Sequence, residues 1–129
     1  MADLELGAWR QIRDGVFWAR CQPASVNIGL VVGNRSALLI DTGAAPALGQ
    51  QIRESVATIS EVPLRTVVLS HGHWDHALGL AAFAGMETIG HESLATSLLS
   101  PAAVDAAREQ GLEPSQVVVP QRLGLILAA

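Results

Sequence analysis

The spacing of apolar and polar positions changes several times along this chain, and each change marks an element. From Trp9 to Ile40 the pattern predicts strands, with VFWARC (16–21) and VNIGLVV (26–32) rich in β-branched and aromatic side chains. Gly33-Asn34-Arg35-Ser36, between GLVV and ALLI, predicts a hairpin turn, because glycine and asparagine reach the backbone angles of a tight reversal. After Pro46 the period becomes helical: Leu48, Ile52, Val56 and Ile59 share one face and predict a helix from about Ala47 to Ile59. Pro63 then resets the chain into LRTVVLS, Leu64–Ser70, an apolar run of the kind expected from a strand covered on both faces.

Further on, Asp75 stands where an N-cap is expected ahead of HALGLAAFA, and Gly85 supplies its stop. METIG (86–90) predicts a short strand and Glu92–Leu99 a helix. Ser100-Pro101 reads as the cap and first position of another helix, closed by Gly111. Val117–Pro120 predicts one more strand, after which QRLGLILAA runs on apolar, with no charge beyond Arg122. A hairpin region followed by alternating β and α predicts an α/β (α+β) fold, a mixed sheet with helices packed on it, in a single domain over residues 1–129.

Composition narrows the function. Half of the 129 residues are apolar and 16% are charged, which suits a packed globular protein. The net charge of -4 offers no basic surface for phosphate backbones, and the eight Lys and Arg are scattered, so neither nucleic acid nor a membrane is expected as a partner. The first residues, MADLELGAWR, lack the basic and apolar regions of a secretory leader, and the expected location is cytoplasmic. Cys21 is the only cysteine, which excludes an internal disulfide and a thiolate metal cluster; it reads as a small buried apolar residue.

The chemistry concentrates in SHGHWDH, Ser70–His76, which holds three of the four histidines. This segment follows a strand directly, where open α/β sheets place their sites. Gly72 permits a turn that lets His71 and His73 approach one point, a spacing that suits two imidazoles on one metal. Asp75 and His76 offer an oxygen and a nitrogen close by, for a second ion. Imidazole with carboxylate suits zinc, with manganese or iron as substitutes, and a bound ion that acidifies its water implies hydrolysis. His91 stands alone at a strand-to-helix junction and reads as structural.

SHGHWDH resembles the His-x-His-x-Asp-His signature of the metallo-β-lactamase-like hydrolases, and NIGLVVGNRSALLIDTG (27–43) is similar to the hairpin and strand that precede it there. The resemblance covers about Val16 to Leu99. It implies an αβ/βα sandwich with the metal site along one edge of paired sheets. It implies that His71 and His73 bind a first zinc, and Asp75 and His76 a second. Asp75 would also accept a proton where one metal is present, and Asp41 would orient the site by hydrogen bonds without touching metal. Trp74 would pack beside the metals or line a substrate pocket. The implied substrate is a small ester, thioester or lactone, attacked by metal-bound hydroxide.

Members of that family are usually longer, and their second half supplies further ligands, whereas no histidine follows His91 here. Three expectations follow: a truncated version of a longer enzyme, a chain that pairs with itself or with a complementing chain, or a reduced domain that binds metal without turnover. A rival reading takes LLIDTGAA (38–45) as the active-site strand of a dimeric aspartic protease, with Asp41 catalytic. That reading lacks the later Gly-Arg-Asp or Gly-Arg-Asn segment and leaves the histidines unexplained.

Overall fold

The computed structural model describes residues 3–94, 101–112 and 125–128. Its centre is an eight-stranded mixed sheet, in the order β1-β3-β4-β5-β6-β7-β8, with β2 also paired to β3. The strands are β1 (Glu5–Leu6), β2 (Arg10–Arg13), β3 (Val16–Gln22), β4 (Val26–Val32), β5 (Ala37–Ile40), β6 (Leu64–Val68), β7 (Glu87–His91) and β8 (Leu125–Ala128). The first five pair antiparallel, and β5 through β8 run parallel. The switch from hairpins to crossovers is the order expected from the sequence, and it puts the C-terminal ends of β5 and β6 side by side, with Ile40 opposite Val68.

Helix α1 (Pro46–Ile59) connects these two strands. Proline at its first position fixes φ and gives up an N–H that would lack a helical partner anyway, and no side-chain cap is present. Leu48, Ile52 and Val56 are buried against Ala19, Cys21, Ile28, Leu30, Leu39 and Val67 of the sheet. Each such side chain contributes about 1.5–3 kcal/mol when fully buried. The indole of Trp9 donates to Ser55 Oγ at 2.8 Å, tying the chain's beginning to the same helix.

Several elements differ from expectation. The strand predicted as Leu64–Ser70 ends at Val68, although Leu69 N–H still donates to Ile89 O at 2.9 Å. The cause lies in Ser70, whose N–H turns to a side chain instead of a neighbouring strand. Coverage on both faces is not found either: Val67 and Leu69 are buried while Thr66 and Val68 are half-buried. Helix α1 packs on one face of the sheet, and on the other Leu38, Ile40, Val68 and Ile89 stay half-buried and Val31 is exposed.

The helix expected after Asp75 is broken into α2 (Trp74–Ala77) and a 3-10 helix over Leu78–Phe83. Asp75 is not its N-cap; His73 is, and its carbonyl accepts from the N–H of His76 and Ala77, so Asp75 falls in the first turn. There its charge faces the positive end of the peptide dipoles, though on only one turn of helix. Gly85, at φ 87, ends the segment as expected. Helix α3 (Pro101–Glu109) begins at the predicted proline, and Gly111 adopts φ 85 just beyond it. Strand β8 went unanticipated, because an apolar run without alternation carries no period to read. The helix expected over 92–99 lies largely, and its neighbour's cap at Ser100 and the strand expected at Val117–Pro120 entirely, outside the described residues. No helix among the described residues is long and apolar enough to cross a membrane.

Candidate functional site

The site forms where β5 and β6 end. Leaving β5, the chain places Asp41 in the left-handed region at φ 68, a conformation aspartate reaches more readily than most residues. Such backbone costs about 1–3 kcal/mol and persists only where its surroundings determine it. Here they do: Asp41 N–H donates to Val68 O at 2.8 Å, and the residue is 3% exposed. Its Oδ1 accepts from Ser70 N–H at 2.8 Å, and its Oδ2 accepts from Ser70 Oγ at 2.6 Å. The same Oδ2 lies 2.8 Å from His76 Nδ1.

Thr42 completes the grip. Both its N–H and its hydroxyl donate to His76 O, at 2.8 and 2.9 Å, so Asp41 and Thr42 hold the side chain and the backbone of one residue. Gly79 N–H then donates to Gly43 O at 3.0 Å. A Cβ at Gly79 would press into the Thr42 carbonyl oxygen, so glycine there is what lets the histidine-bearing segment lie against DTG.

His71 and His73 are exposed, whereas Asp75 and His76 are half-buried. The His71 ring stands 4.5 Å from that of His73 and 4.2 Å from that of His76, centroid to centroid. Desolvation first, and then the neighbouring His76 and His73, hold the His71 imidazole below its ordinary range against the opposing pull of Asp41 and Asp75. A neutral ring keeps a lone pair for a ligand.

The free donor atoms are of the kind a zinc-like ion accepts. Asp75 Oδ1 is buried without a hydrogen-bond partner among the described residues and lies 3.8 Å from His76 Nε2. An orphaned buried acceptor costs about 1–3 kcal/mol, a penalty that a cation beside it would remove. His71 and His76 both engage Nδ1, with Ser70 Oγ at 2.9 Å and with Asp41, so the other ring nitrogen of each, Nε2, is the one left for a ligand. The donor chemistry therefore fits a divalent metal. The side chains stand next to one another without closing around a point, for among the described residues no group of three or more His, Cys, Asp and Glu is arranged to hold an ion.

The remaining candidates have other surroundings. Trp74 is half-buried and packs against the small cluster of Ala44, Leu78, Ala107 and Leu112. His91, at the end of β7, accepts from Ser93 N–H at 3.2 Å through Nδ1, with Ser93 Oγ 3.0 Å away. Cys21 is buried in the main core, and burial pushes its thiol up to about 12. Ser70 and Thr42 had not been singled out from the sequence. Their signal was position alone, next to the first histidine and next to the strand-end aspartate.

Known proteins agree with this architecture. The profile of the Metallo-beta-lactamase superfamily matches residues 21–117, well over half of the chain. A metallo-β-lactamase from Erythrobacter litoralis, solved with β-mercaptoethanol in its active site, is 26% identical, with 87% of this chain and 50% of that chain covered at a TM-score of 0.60. One from Cronobacter sakazakii is also 26% identical, covering 70% and 36% at a TM-score of 0.58. An NDM_FIM-1-like enzyme from Erythrobacter litoralis in its mono-zinc form is 26% identical, covering 67% and 44% at 0.57. The chain spans half or less of the length of these structures. A comparison with curated proteins found no match. The aspartic-protease reading of Asp41 gives way here, since that carboxylate is buried and engaged on both oxygens by its own chain. The mixed sheet, its helical layer and the matched profile together make this chain a member of the metallo-β-lactamase superfamily.

Proposed function

We propose that this chain serves a zinc-dependent hydrolase of the superfamily, with manganese or iron able to substitute, acting on a small ester, thioester or lactone. What carries the reading is the pairing of a satisfied, buried Asp41 with an unsatisfied Asp75 Oδ1 beside three imidazoles. His71 and His73 are the residues to hold one ion, and Asp75 and His76 a second. A bound divalent ion supplies a water acidic enough to act as nucleophile near neutral pH. The chain's own contribution is orientation: Asp41 keeps the His76 ring turned by its Nδ1, and Thr42 fixes that residue's backbone. Where a single ion is bound, Asp75, next to the histidines, is the group to take a proton from the attacking water.

The test is zinc content by elemental analysis after dialysis against excess zinc, with hydrolysis of a thioester, a lactone and a β-lactam measured before and after chelation. The expected result is bound zinc and chelator-sensitive turnover of an acyl substrate. Protein that stays metal-free under these conditions would overturn the reading. A second reading, a domain that binds metal without turnover, is favoured by the lack of a closed ligand group among the described residues, and bound zinc with no hydrolysis would establish it.

A further inference from the structure

Ser70 has one hydroxyl proton and two close neighbours. Its Oγ lies 2.6 Å from Asp41 Oδ2 and 2.9 Å from His71 Nδ1. A carboxylate only accepts, and 2.6 Å is the length of an O–H···O⁻ bond assisted by charge. The proton therefore belongs to the bond with Asp41. Placing it toward His71 instead would set lone pairs of two oxygens face to face at the shorter of the two distances. With its proton committed, Ser70 Oγ faces His71 as an acceptor, and His71 Nδ1 must bring the hydrogen.

We infer that Ser70 is a positioning residue that relays the Asp41 carboxylate to His71, fixing the ring as its Nδ1–H tautomer and leaving the Nε2 lone pair free. His76 is fixed in the same tautomer by direct contact with the same oxygen. One buried carboxylate thus sets two imidazoles, one of them through a hydroxyl. Among the described residues His73 has no such partner, and it takes its tautomer from solvent or from a ligand. The use of the relay in metal binding rests on the hydrolase reading above; the tautomer itself does not.

Long-range proton–nitrogen NMR correlations on the metal-free, nitrogen-labelled full chain, at a pH where the imidazoles are neutral, test this directly. In the unaltered protein His71 Nδ1 should give the protonated-nitrogen pattern and Nε2 the unprotonated one. Ser70→Ala should let the Nε2–H tautomer of His71 grow while His76 keeps its pattern, and Ser70→Thr should restore His71. Zinc affinity by chelator competition should fall about 10-fold or more in Ser70→Ala and recover in Ser70→Thr. An unaltered chain with His71 in the Nε2–H form overturns the inference without any variant, as does Ser70→Ala with an unchanged His71. A tautomer shift in a chain that takes up no zinc upholds the relay and fails the hydrolase reading.

Discussion

At the end of β5, Asp41 and Thr42 are buried and their hydrogen bonds reach the end of β6 and the segment that follows it; at the end of β6, His71 and His73 are exposed and Asp75 Oδ1 has no partner among the described residues. The two strand ends touch, yet one is closed and the other open. The difference separates holding from binding. Buried, satisfied groups contribute stability and orientation, because breaking their bonds leaves polar atoms away from water. Exposed groups with free lone pairs contribute little to stability and stay available to a ligand.

Substitutions on either side should therefore fail in different ways. The largest loss of stability is expected from Gly79→Ala, which forces a methyl group into the Thr42 carbonyl and should cost about 3 kcal/mol in urea unfolding, with zinc uptake lost as the two strand ends part. Asp41→Ala removes the acceptor for Ser70 and His76 and should cost about 2 kcal/mol, with zinc affinity lowered about 10- to 100-fold in chelator competition. His71→Ala combined with His73→Ala should abolish zinc uptake by elemental analysis while shifting stability by about 0.5 kcal/mol or less, since both side chains are exposed. If that double variant unfolds as readily as Asp41→Ala, the distinction between the two strand ends is lost. His91→Ala should leave zinc uptake nearly unchanged.

The smallest effect is one of pH. The folded chain holds His71 below the ordinary imidazole range, so between that lowered value and about 6.5 the unfolded chain binds a proton that the folded one does not. Metal-free protein should then be at full stability above about pH 6.5 and lose a little as the pH falls through the folded His71 titration. Proton titration of His71 by NMR checks the direction; a raised His71 value would contradict it.

Much of this architecture was legible in advance. The helix over Pro46–Ile59 was read from Leu48, Ile52 and Val56, and those are the residues that seal the sheet. The break in the segment after Asp75 was not legible. HALGLAAFA has the composition of a helix, but the contact of Gly79 with Gly43 pins it close to β5 and tightens its winding to 3-10. The half-covered face of β6 was equally hidden, because apolar runs look alike whether one or both faces are packed. Strand Leu125–Ala128 lies in a run with no alternation, and its place beside β7 depends on partners far away in the chain.

The sequence by itself determined which chemistry is present, since the imidazoles and the carboxylate of SHGHWDH are neighbours along the chain and no fold is needed to bring them close. It also determined the alternation of strands and helix, which side-chain period writes locally. Only the tertiary structure decided how that chemistry is oriented. Asp41 meets Ser70 across 29 residues and His76 across 35, and those distances close only because β5 and β6 pair in parallel with Ile40 opposite Val68. Hydrogen bonds between such remote groups follow strand register, which no local pattern encodes.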